Sequence, residues 1–150
     1  MRNQIPPLSV EATDALMGLG QLTRSTFAEV GRLLGQPAQQ MQALCQLIDG
    51  PRTMTRLAAR LGMTRSSATE LIDRIEVRGL VTRHSDQTDR RLQYVALTKE
   101  GTQFADRAHE VVTGKLSAAM ASLTITERSH LTTLISKLLA NVDEARVTPM

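Results

Sequence analysis

The sequence predicts a mainly α-helical chain with one small β-hairpin, and three observations predict it. Only three aromatic residues (Phe27, Tyr94, Phe104) and no Trp occur in 150 residues, so Leu, Ile, Val, Met and Ala must build the core, which suits helix-on-helix packing. Apolar residues recur at three-to-four spacing along most of the chain, whereas Leu92-Gln93-Tyr94-Val95-Ala96-Leu97 alternates with a period of two. With 41% hydrophobic and 22% charged residues, the composition is that of one globular domain able to bury roughly 70% of its unfolded surface. A disulfide mini-protein, a disordered tail and a multidomain enzyme are excluded on that basis.

Each element follows from local chemistry. Ile5-Pro6-Pro7 reads as an extended lead-in, and Ser9 as the N-cap of a first helix with Ala12, Leu16, Leu19, Thr23, Phe27, Val30 and Leu34 at its apolar positions. Gly31 and Gly35 mark its fraying end. Pro37 opens a second helix, short and buried, with Met41, Leu44, Leu47 and Ile48 on one face and Asp49-Gly50-Pro51 as its breaker. Thr53 caps a third helix carrying Met54, Leu57, Ala58 and Leu61, and Gly62 stands where a left-handed C-terminal residue is wanted. Thr64 caps a fourth, with Met63 and Ala68 placed as a hydrophobic staple. Two short helices joined by Gly62-Met63-Thr64 form a helix-turn-helix.

Val81-Thr82-Arg83 and Leu92 to Leu97 then read as strands around Ser85-Asp86-Gln87-Thr88-Asp89-Arg90-Arg91, a hairpin with an arginine-bearing tip, or wing. Thr98 caps a long helix with Phe104, Ala108, Val111, Val112, Leu116, Ala119, Met120 and Leu123 at its apolar positions. Thr124 or Thr126 restarts the chain into a last helix bearing Leu131, Leu134, Ile135, Leu138, Leu139 and Val142. The expected organisation is one structural domain: a winged helix-turn-helix over 37–99, flanked by terminal dimerisation helices over 1–36 and 100–150. The apolar faces of the end segments exceed what one small winged helix can cover, so either a two-fold homodimer covers them or the terminal helices pack on each other within one chain.

The net charge of +3 is unevenly placed. Residues 1–51 sum to −1, 52–91 to +4 and 92–150 to zero, and all nine basic residues of the middle segment are Arg. The planar five-donor guanidinium suits phosphate and guanine edges, so a polyanion is the first partner to consider. On the fourth helix Ala68, Leu71, Ile72 and Ile75 form one stripe, Ser66, Thr69, Glu70 and Asp73 the opposite one, and Arg65 and Arg74 flank it. Small hydroxyls permit close approach in a major groove and Arg reaches base edges or phosphate; the competing reading is a merely solvated polar face.

Thr55-Arg56-Leu57-Ala58-Ala59-Arg60-Leu61-Gly62, the stretch from Leu71 to Val81, Arg83, Asp89-Arg90-Arg91 and Val95-Ala96-Leu97-Thr98-Lys99-Glu100-Gly101 together resemble the MarR family of winged-helix transcriptional regulators. The likeness spans roughly residues 41–102, and Asp-Arg-Arg followed by Leu-Thr-x-x-Gly is its most specific part. The resemblance implies a homodimer reading a pseudo-palindromic operator in double-stranded DNA. Base contacts would come from Arg65, Ser66, Ser67 and Thr69 and a phosphate contact from Arg74. The wing set would be Arg83, Asp89, Arg90 and Arg91, with Arg91 in the minor groove and Asp89 orienting it. Glu70 departs from the family pattern, and either accepts from a cytosine amine or pairs with Arg74. The resemblance also implies a small-molecule site between the dimer base and the winged domain, often for a phenolic or lipophilic effector; a repressor that such an effector releases is expected over an activator, because occupying a site requires no additional contact surface.

Catalysis finds no support. His84, His109 and His130 are scattered beside no acidic or cysteine motif, no CxxC or HxxxH spacing offers a metal site, and no cofactor motif is present. Met17, Met41 and Met120 could line an adaptable apolar pocket, although single methionines more often serve as plain core. Cys45 lies among Leu44, Leu47 and Ile48 without a nearby cation, which reads as a buried hydrophobe, with a redox-sensing cysteine as the alternative. No apolar run approaches membrane length and no basic, apolar leader opens the chain, so a cytoplasmic location is expected. The rival from another class is a winged-helix module whose hairpin binds a protein.

Overall fold

A computed structural model describes residues 7–147, with side chains described through Asn141. Ile5 and Pro6 of the expected lead-in and the side chain of Val142 lie outside the described residues. The elements are α1 (Val10–Leu34), α2 (Ala38–Cys45), β1 (Arg52–Thr53), α3 (Met54–Leu61), α4 (Arg65–Val77), β2 (Val81–Ser85), β3 (Gln93–Leu97), α5 (Lys99–Ala119) and α6 (Ile125–Val147). The chain is therefore mainly helical with a small antiparallel sheet.

Helix starts are set by hydroxyl caps. Ser9, Thr53, Thr64 and Thr98 sit in extended backbone and accept from the N–H groups of Ala12, Arg56, Ser67 and Gly101, satisfying donors that the first turn leaves unpaired. Thr124 begins α6 with a capping box: its Oγ1 accepts from Glu127 N at 3.2 Å, while Glu127 Oε2 accepts from Thr124 N at 2.8 Å. Gly62 closes α3 at φ 65° and ψ 30°, a left-handed conformation costly for other residues, and lets the chain turn directly into α4.

Two departures from expectation stand at the end of α1 and the end of α2. Gly31 is buried and does not fray: its carbonyl accepts from the N–H groups of Gly35 and Gln36, and a Cβ there would overlap the carbonyl oxygen of Gln36. Helix α2 stops at Cys45, so Leu47 and Ile48 reach the core from the following turns. Pro37 serves as the N-cap residue.

The short strand β1 went unread in the sequence because two residues carry no periodicity. It exists through the pairing of Arg52 with Val95 and Thr53 with Tyr94 on β3. β3 is central, and its other edge pairs with β2 from Val81 opposite Leu97 to Ser85 opposite Gln93. One core, with Leu44, Leu57, Ile72, Ile75 and Val95 fully buried, joins α2, α3, α4 and the sheet. A second, around Val30, Met41, Ala108 and Val112, ties α1 and α5 to α2, and Phe104 touches both.

The ends of the chain are not packed in this way. No residue of α1 before Thr26 is buried, and Val10, Leu16 and Met17 are 74%, 45% and 68% exposed. On α6, Leu134, Leu138 and Leu139 lie exposed, and among the described residues α6 packs extensively against no other element of its own chain. Within one chain the second half of α1 packs on α5, whereas among the described residues the first half of α1 and α6 stay largely uncovered.

Candidate nucleic-acid interface

Helix α4 turns Ala68, Leu71, Ile72 and Ile75 into the core and leaves Arg65, Ser66, Ser67, Glu70, Asp73 and Arg74 exposed. Thr69, expected on the outer stripe, is half-buried, and its hydroxyl donates to the Arg65 carbonyl at 2.9 Å. Ser67 Oγ accepts from the Thr64 hydroxyl at 2.9 Å. Arg74 Nε donates to the Glu70 carbonyl at 3.2 Å, and the guanidinium lies 3.9 Å from the Glu70 carboxylate, both side chains being exposed. Of the two roles read for Glu70, this is the pairing with Arg74. An exposed i,i+4 pair is worth about 0.3–0.5 kcal/mol, so Arg74 can exchange it for a phosphate at little cost.

The wing tip is organised by two carboxylates. Asp86 Oδ1 accepts from Thr88 N at 2.8 Å, from Thr88 Oγ1 at 2.5 Å and from Asp89 N at 3.0 Å, and the loop closes through Asp86 N to the Leu92 carbonyl at 2.9 Å. The Thr88 hydroxyl, then the Asp89 and Thr88 amides, hold the Asp86 carboxyl below its ordinary value. Asp89 Oδ1 accepts from the backbone N–H of Arg91 at 3.0 Å. It thereby fixes the turn that presents Arg91, and the guanidinium itself stays exposed.

Arg83 is placed differently from the other wing residues. It follows Val81 by two positions, so both share the strand face turned toward α4. Its guanidinium lies 2.7 Å from Asp73 Oδ1 and 3.0 Å from Glu76 Oε2. It also donates to the Thr69 carbonyl at 3.4 Å. The structure therefore brings Arg83 together with α4, and not with Arg90 and Arg91 at the tip.

The nine arginines of the middle segment divide into two groups. Arg52 (Gln46 carbonyl, Asp49), Arg74, Arg78 (Gln36, Gln40) and Arg83 are engaged by groups of this chain. Arg56, Arg60, Arg65, Arg90 and Arg91 are exposed, and among the described residues no side-chain hydrogen bond or ion pair occupies their guanidinium groups. Arg56 and Arg60 on α3 are additions to the sequence-derived set. Their signal was present, since both fall off the Leu57–Ala58 face of a helix that precedes a recognition helix.

Elsewhere the chemistry is quiet. Cys45 is half-buried and burial pushes its thiol up to about 11. Met41 is fully buried whereas Met17 is exposed, so these two methionines do not share one lining. Lys115 Nζ lies 2.5 Å from Glu29 Oε1, joining α5 to α1 and holding the Glu29 carboxyl below its usual range. Among the described residues no three His, Cys, Asp or Glu side chains converge as a metal site, and no helix is long and apolar enough to cross a membrane.

Comparison with known proteins matches the MarR family model to residues 37–92, the segment from α2 through the wing. Two curated relatives are the transcriptional repressor MprA of Escherichia coli, 30% identical over 90 residues, and the HTH-type transcriptional regulator YkoM of Bacillus subtilis, 27% identical over 88 residues. These alignments take in 60% and 59% of the chain and 51% and 57% of the relatives, so the chain spans about half the length of the curated relatives it matches. Among solved structures, apo MarR from E. coli is 25% identical with a TM-score of 0.69, covering 91% of this chain and 99% of that one. NadR in complex with 4-hydroxyphenylacetate is 24% identical with a TM-score of 0.77, covering 95% and 98%. A mutant of E. coli MarR complexed with operator DNA is 23% identical with a TM-score of 0.69, covering 87% and 94%.

Proposed function

We propose that the chain is a member of the MarR family and a homodimeric, sequence-specific DNA-binding transcriptional regulator, a repressor released by a small-molecule effector; the family model over residues 37–92 and the likeness to MprA and apo MarR support this reading. The carrying observation is the pairing of α4's exposed Arg65, Ser66, Ser67, Glu70 and Arg74 with a wing tip that offers Arg90 and Arg91. In this reading α4 enters the major groove, Arg90 and Arg91 reach the flanking minor groove or its phosphates, and Arg56 and Arg60 hold the backbone beside the helix-turn-helix. Free guanidinium groups support DNA over a protein partner for the hairpin.

The dimer rests on unburied apolar surface. A 23-residue helix with Leu134, Leu138 and Leu139 in water and little packing on its own chain has no source of stability comparable to a partner helix. The exposed first half of α1 supplies a matching apolar surface, and residues 1–36 with 100–150 form the dimerisation region around 37–99. One protomer's α4 then recurs across a two-fold axis, which suits a pseudo-palindrome.

For the effector, the complex of NadR with 4-hydroxyphenylacetate supports a small phenolic or lipophilic ligand. Such a ligand releases DNA if it binds more tightly to a dimer whose two α4 helices are mis-spaced for adjacent major grooves. The protein's work is then binding, not catalysis, in the cytoplasm where its operator lies. A gel-shift screen against genomic fragments tests the proposal. Wild type selects a small set of duplexes, and Arg91→Ala weakens their binding by about 1–3 kcal/mol. Failure to select any fragment, with a protein partner captured through the hairpin instead, would overturn it.

A further inference from the structure

Arg83 has the charge and the address of a wing contact, yet its donors are already committed. Thr69, Asp73 and Glu76 stand at i, i+4 and i+7 of α4, one stripe facing β2, and Arg83 meets all three: the Thr69 carbonyl, the Asp73 carboxylate at 2.7 Å and the Glu76 carboxylate at 3.0 Å. Its side chain is only 23% exposed, against 53% for Asp73 and 36% for Glu76, so the arginine is the buried member of the cluster.

We infer that Arg83 is a positioning residue: it brackets the wing to the recognition helix and neutralises two carboxylates that would otherwise face the DNA. This rests on the DNA-binding reading above. Two consequences follow from charge and geometry. Without the bracket, what keeps β2 in place is the packing of Val81 in the core and the backbone pairing to β3, and the angle at which Arg90 and Arg91 are presented relaxes. The Asp73 and Glu76 charges are also released beside a phosphate backbone that repels them. Arg is required because only its planar fork reaches both carboxylates together.

The test uses the full chain and one labelled duplex chosen from the genomic fragments that wild type selects. Arg83→Met should lower affinity at least tenfold, and should speed hydrogen exchange of amides 82–93 while α2 and α5 exchange as before. Arg83→Lys, which keeps the charge and loses the fork, should fall between. In an Asp73→Asn/Glu76→Gln background Arg83→Met should cost less than threefold, since the partners are gone. If instead Arg83→Met costs the same in both backgrounds, Arg83 contacts phosphate directly and the inference fails. Unchanged affinity also overturns it. Should wild type select no duplex, the DNA-binding reading falls, while the exchange arm still reports whether Arg83 holds the wing.

Discussion

The carbonyl oxygen of Leu80 occupies the space where a side chain on Gly101 would begin: a Cβ built on Gly101 would lie within bonding range of that atom. Around this contact, Thr98 N donates to the Leu80 carbonyl at 3.1 Å and Thr98 Oγ1 to the Gly79 carbonyl at 2.6 Å, while the same hydroxyl caps α5 through Gly101 N at 3.0 Å. The Leu-Thr-x-x-Gly motif is thus a clasp between the end of the recognition-helix segment and the start of α5. Gly101→Ala is expected to destabilise the protein by at least about 2 kcal/mol, because backbone on both sides leaves nowhere to move. Urea denaturation checks it: the midpoint falls with little change in slope, and an unchanged midpoint would contradict the clasp.

Leu134 and Leu138 are expected to be interfacial. Leu134→Glu or Leu138→Glu should convert a dimer to monomer at micromolar concentration and lower thermal stability, since α6 has little else to pack on. Sedimentation equilibrium reads this directly. A wild-type monomer, or a variant that stays dimeric, counts against the arrangement.

Cys45 should be unreactive. With burial raising its thiol to about 11, almost none is thiolate near neutral pH, so alkylation of native protein should be slow until denaturant is added. Peroxide should leave DNA affinity as unaffected in wild type as in Cys45→Ser. Peroxide release that the serine variant abolishes would establish the redox alternative.

Asp86 gives the wing tip an acid limit. Its folded value is depressed, chiefly by the Thr88 hydroxyl, so its contribution is present at pH above the unfolded carboxyl value and is lost as pH falls through the lower folded one. The loop should therefore be insensitive to pH from neutrality down to the ordinary carboxylate range and loosen only below it. Amide shifts of Thr88 and Asp89, followed by NMR against pH, should titrate below the usual aspartate value of about 3.9. A midpoint at or above that value would show that Asp86 does not hold the turn.

Local chemistry made most of the fold legible. Ser9, Thr53, Thr64 and Thr98 announced four helix starts because a hydroxyl cap acts within three residues, and Gly62 announced its turn through the left-handed conformation it permits. What escaped depends on residues distant in sequence. β1 exists only through β3, Gly31 is constrained by the return of the chain at Gln36 and Ala38, and Arg83 finds its partners seven to fourteen positions back. The same limit applies to the interface: sequence located nine arginines but could not separate the four held by neighbours from the five whose guanidinium groups are unoccupied among the described residues. Asp89 shows the mixed case, since its place beside Arg91 was readable while its action through the backbone N–H was not.

The central claim is that a dimer presses these free arginines onto duplex DNA, and salt dependence tests it most directly. Arg56, Arg60, Arg65, Arg90 and Arg91 on each of two chains offer up to about ten phosphate contacts, so log affinity against log salt should fall with a slope between roughly −5 and −9. Affinity for a selected genomic duplex should then drop by about three to five decades between about 50 and 200 mM salt. A nearly flat line, or no binding at the low-salt end, would contradict the account.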